Sequence, residues 1–449
     1  MALSLRKRYL PRERSVLEPS WGVDGVKFQL KFGKGHLDFD VPNRNLSSVL
    51  RPKSLPAVED EARAVVKALR EPIGAPPLAD LVKADSKIAI LVSDITRPCP
   101  SKRILPPLLG ELNKVGVASE DVVIIFARGI HRAQTPQEQK SLLGSEIFSR
   151  VRVIEHDAWN DRGNRYVGVT SRRVPVSINT CALSCDFILG VANIDIHYFM
   201  GYSGGAKSLM PGAAAVETIH ANHALMIHPD AQPGKADGNP VREDAEEAAK
   251  MAGLNYILNV ALNEKHEITG VFAGDFVNAH RAGASHIDLM YKVPVKEKAD
   301  VVVASVGGFP QDINLYQAHK GLKNAGYAVR DGGTIILLAE CREGLGSDVF
   351  KQWLLETTTP DEVIERFKKK FVYGGHIVAF IARLAKRAHI YLVASLPEEI
   401  VKRAFMEPHQ TVESALAAAY ASYGHDMRIT VIPYAGSTLP TEAGLGKLA

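Results

Sequence analysis

The stretch KIAILVSDITRPCP, residues 87–100, opens with the apolar run IAILV and turns at once into a polar loop carrying Asp94 and Arg97. An apolar, β-branched run of that length reads as a strand buried on both faces. DVVIIFA (121–127), RVRVIEHD (150–157) and DFILGVA (186–192) repeat the pattern. Helix signals lie between them. TPQEQKSLLG starts with Thr135, Pro136 and Glu138, a capping box with proline at the first helical position. NPVREDAEEAAKMAG starts at Asn239–Pro240 and stops at Gly253. This alternation predicts a mostly parallel sheet with helices on both faces. The rhythm restarts near Val293 with ADVVVASVGG, GGTIILLAE, HIYLVAS and MRITVIPY. The expected fold class is therefore α/β with two domains, 1–291 and 292–449, divided in the stretch KVPVKEKAD (292–300). The final segment is free to pack back on the first domain, and the site is expected in the cleft between the two.

Bulk properties agree with a globular chain. Its 449 residues exceed what one core usually serves, and 46% hydrophobic with 23% charged residues is ordinary. A net charge of +4 without a Lys/Arg block or a basic stripe interleaved with aromatics argues against nucleic acid. The start MALSLRKRYLPRERS has no apolar run behind its basic residues and reads as no secretory signal. HIVAFIARLAKRAHIYLVASL is broken by Arg383, Lys386 and Arg387, too polar for a membrane span. Cys99, Cys181, Cys185 and Cys341 form neither a disulfide framework nor a zinc pattern. A reducing, cytoplasmic setting is the expectation.

The chemistry-bearing residues gather after strand ends. Asp94 and Arg97 follow KIAILV, and ARGIHR (127–132) places His131 after the second strand. Carboxyl ends of parallel strands are where such sheets bind ligands. His197 follows DFILGVA, and the loop GYSGGAKS (201–208) follows His197. This loop has the glycines and lysine of a phosphate-binding loop, but Ala206 stands where a glycine belongs and NIDIHYFM separates it from its strand. Gly204 and Gly205 suit a close backbone approach to a ligand, or simply a tight turn. TIHANH carries His220 and His223 three apart, a spacing that can share a helix face and a metal, or only decorate the helix. NLYQAHKGLKNA adds Tyr316, Gln317, His319 and Lys320 after SVGGFPQD. These read either as site residues or as a solvated helix start.

SDITRP, GIHR, HYFMGYSGGAKSLMPG, ETIHANH, GNPVREDAEEAAKMAG, NEKHEITGVFAGD and YQAHKGLKNA together resemble the lactate racemase family, over roughly residues 72–346. The resemblance implies an isomerase that racemises or epimerises a 2-hydroxy acid. It implies a nickel-pincer nucleotide, a pyridinium mononucleotide whose two sulfur-bearing arms hold nickel, made by separate cofactor-biosynthesis proteins. Lys207 matches the family's covalent attachment point and His223 its nickel ligand, with Asp94, Gly204 and Gly205 beside the cofactor. His131 and His197 match the paired acid–base histidines. Arg97 and Lys320, with Tyr316 and Gln317, match the grip on the substrate. His220 has no role to carry over. The first domain would bind the cofactor. Homo-oligomerisation is left open, as is the identity of the acid.

The residue types make chemical sense for that reaction. A proton beside a carboxylate is a poor acid, so removing hydride is the easier way to break the C–H bond. A histidine takes the hydroxyl proton as hydride leaves, and inversion needs such a group on each face. Cationic Arg97 and Lys320 would hold the carboxylate. Arg128 stands where the family pattern leads one to expect a small or polar residue. It reads either as a contact to a second carboxylate or polar tail, or as a solvent-facing cation. Three other readings compete: a zinc-dependent hydrolase using His220 and His223, a nucleotide-binding module using the loop at 201–208, and a non-catalytic binding protein that carries the pocket without turning over any hydroxy acid.

Overall fold

The computed structural model describes residues 24–370 and 372–442. The basic start MALSLRKRYLPRERS lies outside them. The described residues form two compact units. The larger runs from Arg51 to Lys296 and includes the described residues from Ser437 on. The smaller joins the residues through Leu50 to Glu297–Gly436.

A six-stranded sheet organises the larger unit, in the order Ile268–Gly274, Leu254–Leu262, Phe187–Ile194, Ile88–Val92, Val122–Phe126, Arg152–Glu155. Every neighbouring pair is parallel except the Ile268–Gly274 edge, which runs antiparallel. The expected strands stand within about a residue or two of their quoted runs at most ends. All five residues of Ile88–Val92 and all eight of Phe187–Ile194 are buried, as a sheet covered on both faces requires. One apolar cluster packs beneath helix Ser101–Lys114, through Ile104, Leu105 and Leu108. A second packs the opposite face against helix Pro240–Met251, through Val241, Ala245 and Ala248. The capping box at Thr135 and Glu138 is present, and Asn239 accepts hydrogen bonds from the first-turn N–H groups of Val241 and Arg242.

The smaller unit holds a second six-stranded sheet: Glu407–His409, His389–Val393, Val329–Leu338, Ala299–Ser305, Ile429–Ile432, Leu46–Val49. All its neighbours are parallel. Both sheets thus have the expected α/β character. HIVAFIARLAKRAHIYLVASL is helix Gly375–Ala385 followed by strand His389–Val393, and no described helix is long and apolar enough to cross a membrane.

The units do not follow the expected split between 291 and 292. Leu46–Val49 adds a parallel edge strand beside Ile429–Ile432, which places it in the sheet of the smaller unit. The hairpin Gly25–Phe32/Gly35–Pro42 joins the same core through Phe28, Leu30, Phe39 and Val41. LSSV is too short and polar to announce a strand, so its attachment was hidden. The other end of the chain crosses the opposite way. Leu439–Glu442 pairs in parallel with Lys292–Val295, inside the larger unit.

Candidate active site

The chain order of the larger sheet creates the site. From the central strand Ile88–Val92 the chain builds outward through Val122–Phe126 and Arg152–Glu155, then returns to the other flank with Phe187–Ile194. Strands Ile88–Val92 and Phe187–Ile194 therefore border a topological switch point, and ligands bind at the carboxyl ends there. Asp94 and Arg97 follow the first strand, His131 follows Val122–Phe126, and His197 follows the returning strand.

Asp94 and His131 form a pair. Asp94 is 3% exposed, and its Oδ2 lies 2.6 Å from His131 Nδ1. Its other oxygen accepts from Thr96 N–H at 2.8 Å and from the Thr96 hydroxyl at 2.5 Å. Burial alone would raise the pKa of this carboxyl, but the bonds from His131 and Thr96 outweigh it and hold the pKa below its ordinary value. An ionised carboxylate only accepts, so the hydrogen shared in this bond belongs to His131 Nδ1. Arg97 sits in the same turn, exposed, with its backbone N–H on the Asp94 carbonyl at 3.1 Å.

His197 is paired differently. The two-residue strands Ile196–His197 and Gly201–Tyr202 run antiparallel, setting His197 opposite Gly201. The Met200 backbone N–H donates to His197 Nδ1 at 3.2 Å. The His197 ring stacks on Tyr198 at 4.9 Å and meets the Phe199 edge at 4.7 Å. Burial, then the charges of Lys207 and Arg97 and the nearby His223, push its pKa well below that of a free histidine.

The glycine loop is held from behind. Six consecutive carbonyls, Phe199 to Gly204, each accept a hydrogen bond: from Asn239, from Arg242 at Met200, Tyr202 and Gly204, from Gly234 N–H at Gly201, and from His280 at Ser203. Arg242 is fully buried, and that burial lowers its pKa to about 10. The Gly205 N–H donates to Asn259 Oδ1 at 2.8 Å. Gly204 and Gly205 both have positive φ, 72° and 62°. A Cβ on Gly204 would stand 2.7 Å from Asn259 Oδ1, and one on Gly205 2.8 Å from the His280 ring. Their bare faces are turned to the protein body. Backbone conformation and inward packing account for both glycines, as the tight-turn reading has it. After them a 3-10 turn, Gly205–Ser208, carries Lys207 half-buried. Burial first, then Arg97 and Arg242, hold the Lys207 ammonium well below the ordinary lysine pKa. This strand–hairpin–3-10 course is unlike a phosphate-binding loop, whose glycines open an α-helix directly.

Helix Val216–Ala224 separates its two histidines. His220 is exposed against Trp159, ring centroids 6.4 Å apart, and Trp159 is 63% exposed. His223 is half-buried and packs on Phe199 at 5.0 Å. Its Nδ1 lies 3.2 Å from the Asn222 side-chain oxygen, which is oriented because the Asn222 amide donates to Asp244 at 2.8 Å. Among the described residues no group of three His, Cys, Asp or Glu is placed to hold a metal, so the paired-histidine zinc reading finds no third donor.

Arg128 is neither free for a substrate tail nor turned to solvent. Its side chain is 11% exposed, pairs with Glu155 at 3.4 Å and Asp157 at 3.8 Å, and donates to the His131 carbonyl.

In the smaller unit, helix Leu315–Ala328 carries Tyr316, Gln317 and Lys320 on its first two turns, with Asn314 capping the Gln317 N–H at 2.9 Å. Lys320 is exposed and donates to Gln317 Oε1 at 3.1 Å. His319 is buried, its pKa lowered to about 3 by burial.

Sequence reasoning missed Thr96, Arg242, Asn259 and His280. Two of them left a signal. A cation in the first helical turn opposes the helix dipole, as Arg242 does, and Asn259 interrupts the apolar strand LNYILNVAL.

Comparison with known proteins agrees with this architecture. The lactate racemase N-terminal domain family matches residues 32–234, and the lactate racemase C-terminal domain family matches residues 295–439. A lactate racemase from Thermoanaerobacterium thermosaccharolyticum is 35% identical over 93% of this chain and its own full length. One from Lactiplantibacillus plantarum is 33% identical over 83% of this chain and 89% of its own. The structure of the Thermoanaerobacterium lactate racemase apoprotein superposes with a TM-score of 0.86, at 33% identity, covering 93% of this chain and all of that one. A Thermotoga maritima protein at 19% identity, TM-score 0.61, covering 87% of this chain and all of that one, shares the fold. The chain belongs to the lactate racemase family, and is an isomerase of the racemase type.

Proposed function

We propose that this protein racemises or epimerises a 2-hydroxy acid, with His131 and His197 as its proton-handling groups and a nickel-pincer nucleotide as its cofactor. The observation that carries the reading is the set of groups at one sheet edge: the buried Asp94 bound to His131, the neutral His197, and the half-buried Lys207.

The residues fit such a group. Lys207, pushed toward its free amine, suits a covalent bond to an acyl-type carbon. His223, whose Nδ1 lies against the Asn222 oxygen, would supply a ring nitrogen to the metal. Asp94 belongs first to His131 in this arrangement. When bound, the cofactor supplies an acceptor and donor of hydride at the substrate carbon.

The protein's part is binding and proton transfer. Arg97 grips the carboxylate as a planar fork. His131 Nε2 accepts the hydroxyl proton, and Asp94 stabilises the resulting imidazolium. His197 serves the opposite face. Coexpression with cofactor-making proteins, followed by assay on a panel of single-enantiomer 2-hydroxy acids, tests the reading. Conversion of at least one acid to its C2 epimer is expected. Loaded, folded protein that inverts none of them would defeat it.

A further inference from the structure

We propose that the two histidines rest in opposite hydrogen-bonding states, His131 as the Nδ1–H tautomer and His197 as the Nε2–H tautomer, so that the resting protein presents a base on one side and a donor on the other. This rests on the reading that both histidines serve the substrate.

Two partners fix the states. At His131 the partner is a carboxylate, which accepts only; the two Thr96 donors occupy its other oxygen. Nδ1 must therefore carry the hydrogen. At His197 the partner is the Met200 backbone N–H, which donates only. Nδ1 must carry the lone pair, and a neutral ring then bears its hydrogen on Nε2. Met200 is fully buried, so a flipped His197 ring would strand that N–H away from water. Tyr198 and Phe199 pack on the His197 ring and resist the flip. The groups around His197 keep it neutral: burial, Lys207, Arg97, His223 and Arg242 all disfavour a second proton.

The proton inventory then differs between the two faces. A hydroxyl beside His131 gives its proton to Nε2 with no prior rearrangement. The imidazolium so formed is held by Asp94. A hydroxyl beside His197 meets an N–H instead. For His197 to accept a proton at Nε2, its hydrogen must first leave, either to water or by transfer to Nδ1, which gives up the Met200 bond. For His197 to deliver a proton and remain neutral, Nδ1 must first take one up, at the same cost. A racemase acting on simple enantiomers has an equilibrium constant of one, so kcat/KM is equal for the two. The asymmetry is visible only where kcat and KM shift together, or directly in the protein.

The direct test is nitrogen NMR of ¹⁵N-histidine-labelled, cofactor-free protein at pH 7.5, reading which ring nitrogen of each histidine lacks hydrogen. His131→Gln and His197→Gln supply the assignments, with the Asn variants used where a Gln variant does not fold. The bare nitrogen is expected at Nε2 of His131 and Nδ1 of His197, each preferred by roughly tenfold or more. Asp94→Ala should abolish the preference at His131 and leave His197 unchanged; if that variant does not fold, the wild-type states decide alone. The same tautomer at both residues, or a cationic His197 at this pH, overturns the proposal. The activity of the His131 and His197 variants after cofactor loading is a separate outcome: retained activity would overturn their catalytic roles without touching the tautomer result.

Discussion

Asp94 Oδ2 stands 2.6 Å from His131 Nδ1, with the carboxyl buried and the imidazole one-third exposed. A buried acceptor behind a more open ring orients the ring and stabilises its charged form. We expect Asp94→Asn to lower kcat by roughly 10²–10⁴-fold while cofactor loading persists, by analogy with orienting carboxylates elsewhere. Steady-state kinetics on protein of measured cofactor content check this. Loss of cofactor with unchanged turnover per loaded molecule would assign Asp94 to the cofactor instead.

Lys207 and His223 make distinct predictions. Protein coexpressed with the cofactor pathway should exceed its sequence mass, and Lys207→Ala should remove the excess. His223→Ala should reduce nickel content far more than His220→Ala, because His220 faces Trp159 at an exposed surface. Equal nickel losses would mean that the wrong histidine, or both, holds the metal.

Arg128 now carries a different expectation from a tail contact. Its ties to Glu155, Asp157 and the His131 carbonyl make it part of the support of His131. Arg128→Ala should lower activity on every substrate alike and destabilise the fold by about 1–3 kcal/mol, since a half-buried Glu155 loses its cation. A change of substrate ranking without loss of stability, read from a panel assay and urea unfolding, would restore the tail contact.

Arg242 holds three carbonyls of the glycine loop with one buried guanidinium. Arg242→Gln should cost about 3 kcal/mol or more, because no single amide replaces that fork. It should also raise the pH at which Lys207 reacts with acetic anhydride, since a fixed cation near the amine is gone. Peptide-resolved acylation across pH measures this; an unchanged Lys207 midpoint in folded variant would deny Arg242 any electrostatic role.

Acid should destabilise the protein through buried neutral histidines. His156 is fully buried, with Nε2 donating to the Ala214 carbonyl at 2.8 Å, and burial lowers its pKa from 6.5 to about 4. Because the folded pKa lies below the unfolded one, protons favour the unfolded chain. Stability is full above pH 6.5 and is lost as pH falls toward 4, by on the order of 3 kcal/mol from this residue. Urea unfolding of wild type and His156→Gln at pH 7.5, 6 and 5 should show a shallower pH slope in the variant.

The sheets were legible because buried parallel strands write themselves as β-branched runs such as KIAILV and DFILGVA, and the caps at Thr135 and Asn239 mark helix starts locally. What escaped depends on distant partners. LSSV becomes a strand only because Ile429–Ile432 offers an edge, so the unit boundaries could not be read from the linker alone. His131 and His197 stand out in the sequence by their places after strand ends. Their opposite partners, a carboxylate thirty-seven positions away and a backbone N–H three away, belong to tertiary geometry. The packing that requires the glycine pair was hidden from the sequence. The pair's bare faces meet Asn259 and His280, contacts that span about fifty and seventy-five positions of sequence.

In the proposed function the histidines move only the hydroxyl proton while the carbon-bound hydrogen travels as hydride. A proton carried by His131 or His197 exchanges with water, whereas hydrogen moved as hydride would not exchange readily. The decisive measurement is racemisation of Cα-deuterated 2-hydroxy acid in ordinary water by cofactor-loaded protein, with deuterium at Cα of the inverted product counted over the first turnovers. Retention of the deuterium, with a primary isotope effect on the rate, is the predicted result. Extensive replacement of that deuterium by solvent hydrogen would rule out hydride transfer in this protein.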